Sequence, residues 1–182
     1  MHTTDSVSVR YAQALFETAN AAGRLDPVLA QLEELAQCLQ QHPRLRELLL
    51  NPDVETGQKL GVCAAALSGG WQEDVQAFVR VVLSFGRAAL LLEMAEALRR
   101  LVDEERRIAR VVVRSARPLP EPLRAQLVAA LERSEGRRVT LMEETAPELI
   151  GGVQVMIGNR MMDGSLKGRL ADLRQRLTSV RV

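Results

Sequence analysis

Residues that could carry out catalysis or hold a metal are scarce in this 182-residue sequence, and their spacing fits neither task. The two histidines are His2 and His42, and His42 precedes a proline at a predicted helix junction, where a surface or capping role is expected. The spacing of Cys38 and Cys63 matches no metal site. We expect both to be small buried hydrophobic residues, with their thiols kept reduced in a reducing compartment. We therefore predict no catalytic residue, no metal site and no cofactor.

Other polar groups that resemble parts of known sites are explained by local structure. The carboxylates of Asp103-Glu104-Glu105 lie beside Arg106-Arg107 at a predicted helix end, where paired surface charges are expected. Ser165 lacks the nucleophile-elbow motif and suits a helix N-cap. The sequence contains neither a GxxxxGK[ST] phosphate loop nor a GxGxxG motif. An enzyme is therefore the least favoured interpretation.

Charge is divided unequally along the chain. Residues 1–105 contain 9 Lys/Arg and 15 Asp/Glu, a net −6, whereas residues 106–182 contain 15 and 8, a net +7. The division indicates two domains with different partners, although two such halves could also simply attract each other. A basic half could bind nucleic acid, but residues 106–182 contain no Phe, Tyr or Trp for base stacking. A basic nucleic-acid-binding module is the alternative function.

Hydropathy indicates a folded protein without a membrane-spanning segment. Hydrophobic residues make up 47% of the chain, but Arg80 and Arg87 interrupt its most apolar region before it reaches the length of a transmembrane helix. The first residues show neither a signal-peptide pattern nor an Arg-rich presequence. We expect a bacterial protein that remains on the cytoplasmic side.

Helical periodicity predicts six helices with short connections in the first half of the chain. The second helix illustrates the pattern, with Val28, Leu32, Leu35 and Leu39 on one stripe. Short connections favour an antiparallel six-helix bundle, which we place at residues 1–107. The predicted helices are residues 5–22, 25–41, 43–50, 54–67, 72–85 and 88–107.

The second half has a different pattern, which predicts a small α/β domain over residues 108–182. Residues 110–114 and 139–142 are rich in β-branched or apolar residues and are predicted strands, with a helix at 121–134 between them. A hairpin and a final helix follow. The predicted fold class is therefore mainly α, an N-terminal six-helix bundle followed by a small α/β domain with a β-hairpin and a C-terminal helix.

The hairpin and final helix form the most distinctive stretch of the sequence. Residues 153–157 alternate in hydropathy as in a strand, and Gly158-Asn159 suits a tight turn before a short return strand at 160–163. Ser165 can cap the following helix, which is amphipathic and basic. The apolar stripe of this helix includes Leu166, Leu170 and Leu173.

Two motifs resemble the δ subunit family of F-type ATP synthases, whose mitochondrial relative is the oligomycin-sensitivity-conferring protein. The first is GGVQVMIGNRMMDGSLKGRLADL, which is similar to the family's apolar strand, Gly-Asp turn and D-G-S-x-x-G-R-L run, with Asn159 at the place of the turn Asp. The second is the RYAQALF segment at residues 10–16, which resembles the family's opening helix. The motifs lie at opposite ends, so the resemblance covers nearly the whole chain.

The resemblance implies a non-catalytic stator subunit. In this family the bundle receives the N-terminal helix of an α subunit of the catalytic head, and the C-terminal domain meets the C-terminal ends of b-type stalk subunits. Such a subunit links the head to the peripheral stalk, so that rotor torque drives ATP synthesis coupled to ion transport. The resemblance further implies a peripheral protein at the cytoplasmic face of the plasma membrane, with no nucleic acid partner and no direct membrane insertion.

Two helices have more apolar surface than a bundle core requires. The first helix has a core face and a neighbouring face formed by Tyr11, Ala14 and Thr18, and the fifth helix is apolar over more than one face. Such surplus surface fits either a groove for a partner helix or a fifth helix that is buried on both sides. The periodicity alone does not decide between them.

The resemblance favours the groove and implies its residues. By position, it places Tyr11 and Ala14 of the first helix and Val81 of the fifth helix against the partner. The others follow by helical adjacency: Thr18, Phe78 and Val82. For the stalk, it points to the hairpin around Gly158-Asn159 and to the last helix, without individual contacts.

Overall fold

The computed structural model describes residues 3–67, 69–158 and 160–179, and the chain separates into two compact units. The first unit is Met1–Val102 and the second is Asp103–Val182. His2 and Asn159 lie outside the described residues, so the predicted Gly158-Asn159 turn stays a prediction. Within the described ranges, no helix has both the length and the hydropathy needed to cross a membrane.

The first unit is the predicted bundle of six helices, with ends within three residues of those predicted. The largest difference is at the sixth helix, because residues 88–90 form a separate 3-10 turn before it begins. The helices are α1 (Thr3–Ala21), α2 (Leu25–Gln41), α3 (Pro43–Leu50), α4 (Thr56–Ala66), α5 (Glu73–Ser84) and α6 (Leu91–Glu105).

The bundle core is one apolar cluster built from residues at helical spacing. Cys63 is part of this core, and burial raises the pKa of its thiol to about 11, so the thiol is protonated and unreactive near neutral pH. Cys38 is half-buried. The largest fully buried side chains come from α2 (Val28, Leu32, Leu35), α5 (Val75, Val79, Val82) and α6 (Leu91, Met94, Leu98, Val102).

Polar contacts fix the start of α5 against α1 and α2. The buried side chain of Gln31 accepts a bond from the Gln72 N–H at 2.7 Å and donates to the Gly70 carbonyl. Arg24, just after α1, donates two bonds of 3.0 Å to Asp74 in the first turn of α5. The end of α1 therefore lies beside the beginning of α5, and the two helices run in opposite directions.

The second unit is a four-stranded sheet with strand order β2-β1-β3-β4. β1 is parallel to β2 and antiparallel to β3, and β3 forms the predicted hairpin with β4. Leu131 of α7 packs on one face of the sheet, against the buried Val111, Val113 and Val155. The elements are β1 (Ile108–Ser115), α7 (Glu121–Glu135), β2 (Arg138–Thr145), β3 (Val153–Ile157), β4 (Arg160–Asp163) and α8 (Leu166–Ser179).

β1 and β2 are longer than predicted, and the division between the units falls earlier than residue 107. The two strands pair in parallel from Ile108 with Arg138 to Ser115 with Thr145. This pairing extends each strand over residues that have little intrinsic strand preference. The guanidinium of Arg110 in β1 binds the carboxylate of Asp103 near the end of α6, with 3.0 Å between Nη2 and Oδ1. Both residues belong to the second unit, so the last residues of α6 are part of it.

Candidate partner-binding groove

A groove of about 540 Å³ runs between α1 and α5 on the surface of the first unit. Its lining is apolar except for three charged residues and the hydroxyls of Tyr11 and Thr18. The lining residues of each helix recur every three or four positions, singly or as adjacent pairs, so each set occupies one face. The groove is lined by Val7, Arg10, Tyr11, Ala14, Leu15 and Thr18 of α1, by Asp74, Ala77, Phe78 and Val81 of α5, and by Arg87.

α1 presents one face to the core and a neighbouring face to the groove. Ala12 and Leu15 are buried, as predicted, whereas Tyr11 is half-buried and Ala14 and Thr18 are exposed. The Thr18 hydroxyl donates to the Ala14 carbonyl at 2.8 Å, so it needs no other polar partner and the residue can contribute its methyl group to the groove. The face that looked partly polar in sequence is therefore mainly apolar in effect.

α5 is buried on one side only. Val75 and Val79 are fully buried in the core, whereas Phe78 is half-buried and Val81 is 45% exposed. The structure corrects the prediction that Val82 contacts a partner, because this side chain is fully buried among the helices and cannot reach one. The apolar flank of α5 is thus formed by Phe78 and Val81 rather than by Val82.

An aromatic pair joins the two sides of the groove. The rings of Tyr11 and Phe78 meet edge to face, with centroids 6.3 Å apart and planes at 72°. Ala14 and Ala77 also line the groove, where short side chains leave space for groups from outside. The result is a concave apolar surface between two antiparallel helices, which suits the apolar stripe of a third helix.

The two ends of the groove differ in charge. Near the end of α5, the guanidinium of Arg87 lies over the rings of Tyr11 and Phe85, 5.1 Å and 5.6 Å from their centroids. Near the start of α5, Asp74 is held by Arg24. Asp74 and Phe85, the C-cap of α5, are eleven helical steps apart, which separates these ends by about 16 Å.

The second unit exposes apolar side chains on the hairpin and on the last helix. Leu166, Leu170 and Leu173 of α8 are 45%, 57% and 55% exposed. Met156 and Met161 face each other across the hairpin and are also exposed. These are the two elements that the sequence resemblance indicated for the stalk contact.

A basic depression of about 770 Å³ also belongs to the second unit. It is lined by Arg106, Arg107, Arg137 and Arg138, with Ile108 and Glu132 among its other residues. The depression offers charge but no ring for base stacking, because residues 106–182 contain no aromatic residue. In the part of the chain that the structure describes, no three His, Cys, Asp or Glu residues are grouped so that they could hold a metal ion.

Several groove residues were not predicted from the sequence. Val7, Arg10 and Ala77 could have been found, since they continue the helical spacing of Tyr11, Ala14 and Val81 on the same faces. Asp74 continues the spacing of Ala77, Phe78 and Val81 on α5. Leu15 was predicted as a core residue only, although it also lines the groove. Arg87 had no signal in the sequence, because it lies beyond α5 and returns over a ring 76 positions earlier in the chain.

Comparisons with known proteins agree with the sequence motifs. Residues 7–177 match the family model described as ATP synthase delta (OSCP) subunit. The chain is 37% identical to ATP synthase subunit delta of Desulfitobacterium hafniense over 173 residues, covering 95% of this chain and 97% of the relative. It is 38% identical to the subunit of the same name from Symbiobacterium thermophilum over 174 residues, covering 96% and 94% of the two chains.

The fold also matches a solved structure. A chain of the Toxoplasma gondii mitochondrial ATP synthase hexamer, seen by cryo-electron microscopy, superposes with a TM-score of 0.66 over 94% of this chain and 97% of that one. At 23% identity, this likeness concerns the fold alone. On the family match and the two bacterial relatives, the chain belongs to the ATP synthase delta (OSCP) subunit family.

Proposed function

We propose that this protein is a non-catalytic stator subunit of an F-type ATP synthase. In the proposal, the first unit binds the N-terminal helix of an α subunit of the catalytic head, and the second binds the C-terminal ends of b-type stalk subunits. Family membership supports the role, and the observation that carries the head contact is the apolar groove between α1 and α5.

The groove fits an amphipathic helix because its apolar surface is continuous across both walls. Exposed apolar surface of this kind is unfavourable in water and is stabilised when a partner covers it. The proposed contact residues are Tyr11, Ala14 and Thr18 of α1 with Phe78 and Val81 of α5. A partner helix would fill the space above Ala14 and Ala77 with side chains spaced three and four positions apart.

The second contact uses the exposed apolar stripe of α8 and the hairpin. Leucines at 166, 170 and 173 form a stripe that is about half exposed, and basic residues such as Arg169 lie beside it. An amphipathic and basic helix suits a partner with an apolar stripe and acidic flanks. We assign this surface to the stalk.

The proposed role is mechanical. Rotor torque would spin the catalytic head unless a stator held it, so the head must be tied to a stalk that is anchored in the membrane. A tether needs two binding surfaces and no catalytic residue. The protein would thereby act at the cytoplasmic face of the plasma membrane, as a peripheral part of a complex that couples ATP synthesis to ion transport.

The head contact is tested by calorimetric titration of the full chain with a peptide from the N-terminus of the α subunit of the same organism. We expect saturable one-to-one binding. Val81→Asp should weaken it by at least about tenfold, because docking would bury an unpaired carboxylate. Val62→Asp is the matched control, since Val62 is 37% exposed on α4, away from the groove.

Each outcome bears on the proposal. Circular dichroism should report unchanged helix content in both variants, because both valines are exposed. Loss of the fold in Val81→Asp would instead identify Val81 as a core residue. Failure of the folded wild-type chain to bind the peptide would remove the head contact, and sequence-selective binding of nucleic acid that survives moderate salt would favour the alternative function.

A further inference from the structure

Arg87 holds a fixed position at one end of the groove. Its backbone N–H donates to the Val82 carbonyl at 2.9 Å, and its carbonyl accepts from Leu90, so the main chain is set by the turn after α5. Its guanidinium is held over the rings of Tyr11 and Phe85, and Nη1 donates to the Tyr11 hydroxyl. The side chain is therefore ordered before any partner arrives.

This guanidinium has donors to spare. Arginine has five N–H donors, and the Tyr11 hydroxyl takes one of them. Among the described residues, no carboxylate forms an ion pair with Arg87. The carboxylate that lines the groove, Asp74, lies near the opposite end of α5 and is already bound by Arg24 through both oxygens.

A helix that docks in the groove would remove water from this charge. Tyr11 and Arg87 both line the groove, so a partner that covers the ring also covers the guanidinium. A charge that is desolvated without a counter-charge opposes binding, whereas a carboxylate can accept two parallel bonds from the guanidinium fork. Since the side chain is already held by two rings, little of its freedom remains to be lost when that pair forms.

We propose that Arg87 is a specificity-determining residue of the groove. It selects a partner helix that carries an Asp or Glu at one end of the partner's apolar stripe, the end that lies over Tyr11. The inference rests on the proposed function, because it specifies the chemistry of the helix that the groove binds. It predicts one ion pair at a defined end of an otherwise apolar contact, and therefore a moderate dependence of affinity on salt.

The test is a double-mutant cycle on the full chain by calorimetry. One arm compares wild type with Arg87→Gln, and with Arg80→Gln as the control, since Arg80 is an exposed arginine of α5 outside the groove lining. The other arm compares the α-subunit N-terminal peptide with versions in which each Asp or Glu in turn becomes Asn or Gln. The peptide arm can be measured on the wild-type protein, so its result does not depend on whether a variant folds.

We expect Arg87→Gln to weaken binding of the unmodified peptide by about tenfold or more, and Arg80→Gln to leave it unchanged. One carboxylate-to-amide peptide should show the same loss on wild type and no further loss on Arg87→Gln. If every modified peptide binds wild type as tightly as the original, the inference is overturned while the proposed function stands. If wild type binds no form of the peptide, the proposed function fails first.

Discussion

At position 152 the backbone leaves no room for a side chain. Gly152 has a φ of +76°, and a Cβ built on it would lie 2.4 Å from the carbonyl oxygen of Gly164 and 3.0 Å from Cα of Ser165. These are main-chain atoms at the junction of the hairpin and α8, so they cannot move aside as a flexible side chain could. Gly152→Ala should therefore destabilise the second unit by about 2–4 kcal/mol, combining left-handed strain with overpacking.

Gly136→Ala is the control that separates the two causes. Gly136 caps α7 with a φ of +64°, and no atom lies within 4 Å of an added Cβ, so only strain of about 1 kcal/mol is expected. Native-state hydrogen exchange at the amides of β1 measures the free energy of opening for both variants. Equal losses in the two variants would show that the close approach at Gly152 has no energetic consequence.

Single residues were predictable where the chemistry is local. The Ser165 hydroxyl accepts a bond from the Gly168 N–H at 3.0 Å, which confirms the predicted N-cap of α8. Hydrogen bonds from Ser165 and then from Gln154 hold the pKa of Asp163 below its usual value, and only the Ser165 contact lies within the D-G-S motif. Arg87 was not predictable, since its contact with Tyr11 joins residues 76 positions apart in the chain.

On the scale of the element, α8 provides the clearest test of the stalk contact. Leu170 and Leu173 are each more than half exposed, so they contribute little to the core of the second unit. The double change Leu170→Ser and Leu173→Ser should weaken binding to the stalk subunits by more than tenfold, because it removes the apolar centre of the proposed contact. Calorimetry of the full chain with purified stalk subunits measures this affinity.

The same variant should leave the protein folded and the head contact intact. Exposed substitutions usually change stability by less than about 0.5 kcal/mol, so the thermal midpoint should hardly move. Leu123→Ser is the control, since Leu123 is 52% exposed on α7, outside the hairpin and α8. Unchanged stalk affinity in the double variant would exclude α8 from the contact.

Elements were predicted well where periodicity alone defines them. The helix α2 matched its predicted ends, because its apolar stripe and flanking Pro and Gly residues are local signals. The extent of β1 and β2 depended on pairing between distant segments, which no local pattern contains. For α5, periodicity identified two apolar faces, but only the packing of the bundle decided that Val82 is buried and Val81 exposed.

On the scale of the whole molecule, the two units would divide the work of a tether in the proposed role. The first carries an apolar groove with a charged end, and the second carries an exposed leucine stripe on a basic helix. The first unit, residues 1–102, has 9 Lys/Arg and 12 Asp/Glu, a net −3, whereas residues 103–182 have 15 and 11, a net +4, so the two units have opposite net charge. Family and fold were predictable from two motifs and from periodicity, and so were most residues of the groove, whereas the place of Arg87 and the burial of Val82 depend on how the helices pack.

A tether acts by transmitting force, so its loss should separate ATP hydrolysis from ion transport. Membranes of the same organism whose synthase carries Val81→Asp should retain most ATP hydrolysis, because in the proposed role this subunit contains no catalytic residue. They should lose most ATP-driven ion pumping and ATP synthesis, since a weakly held head turns with the rotor. Hydrolysis is measured by phosphate release, and pumping by a fluorescent reporter of the ion gradient. Val62→Asp membranes should retain both activities. A Val81→Asp membrane that pumps as well as wild type, although its chain no longer binds the α peptide, would show that the groove does not hold the head.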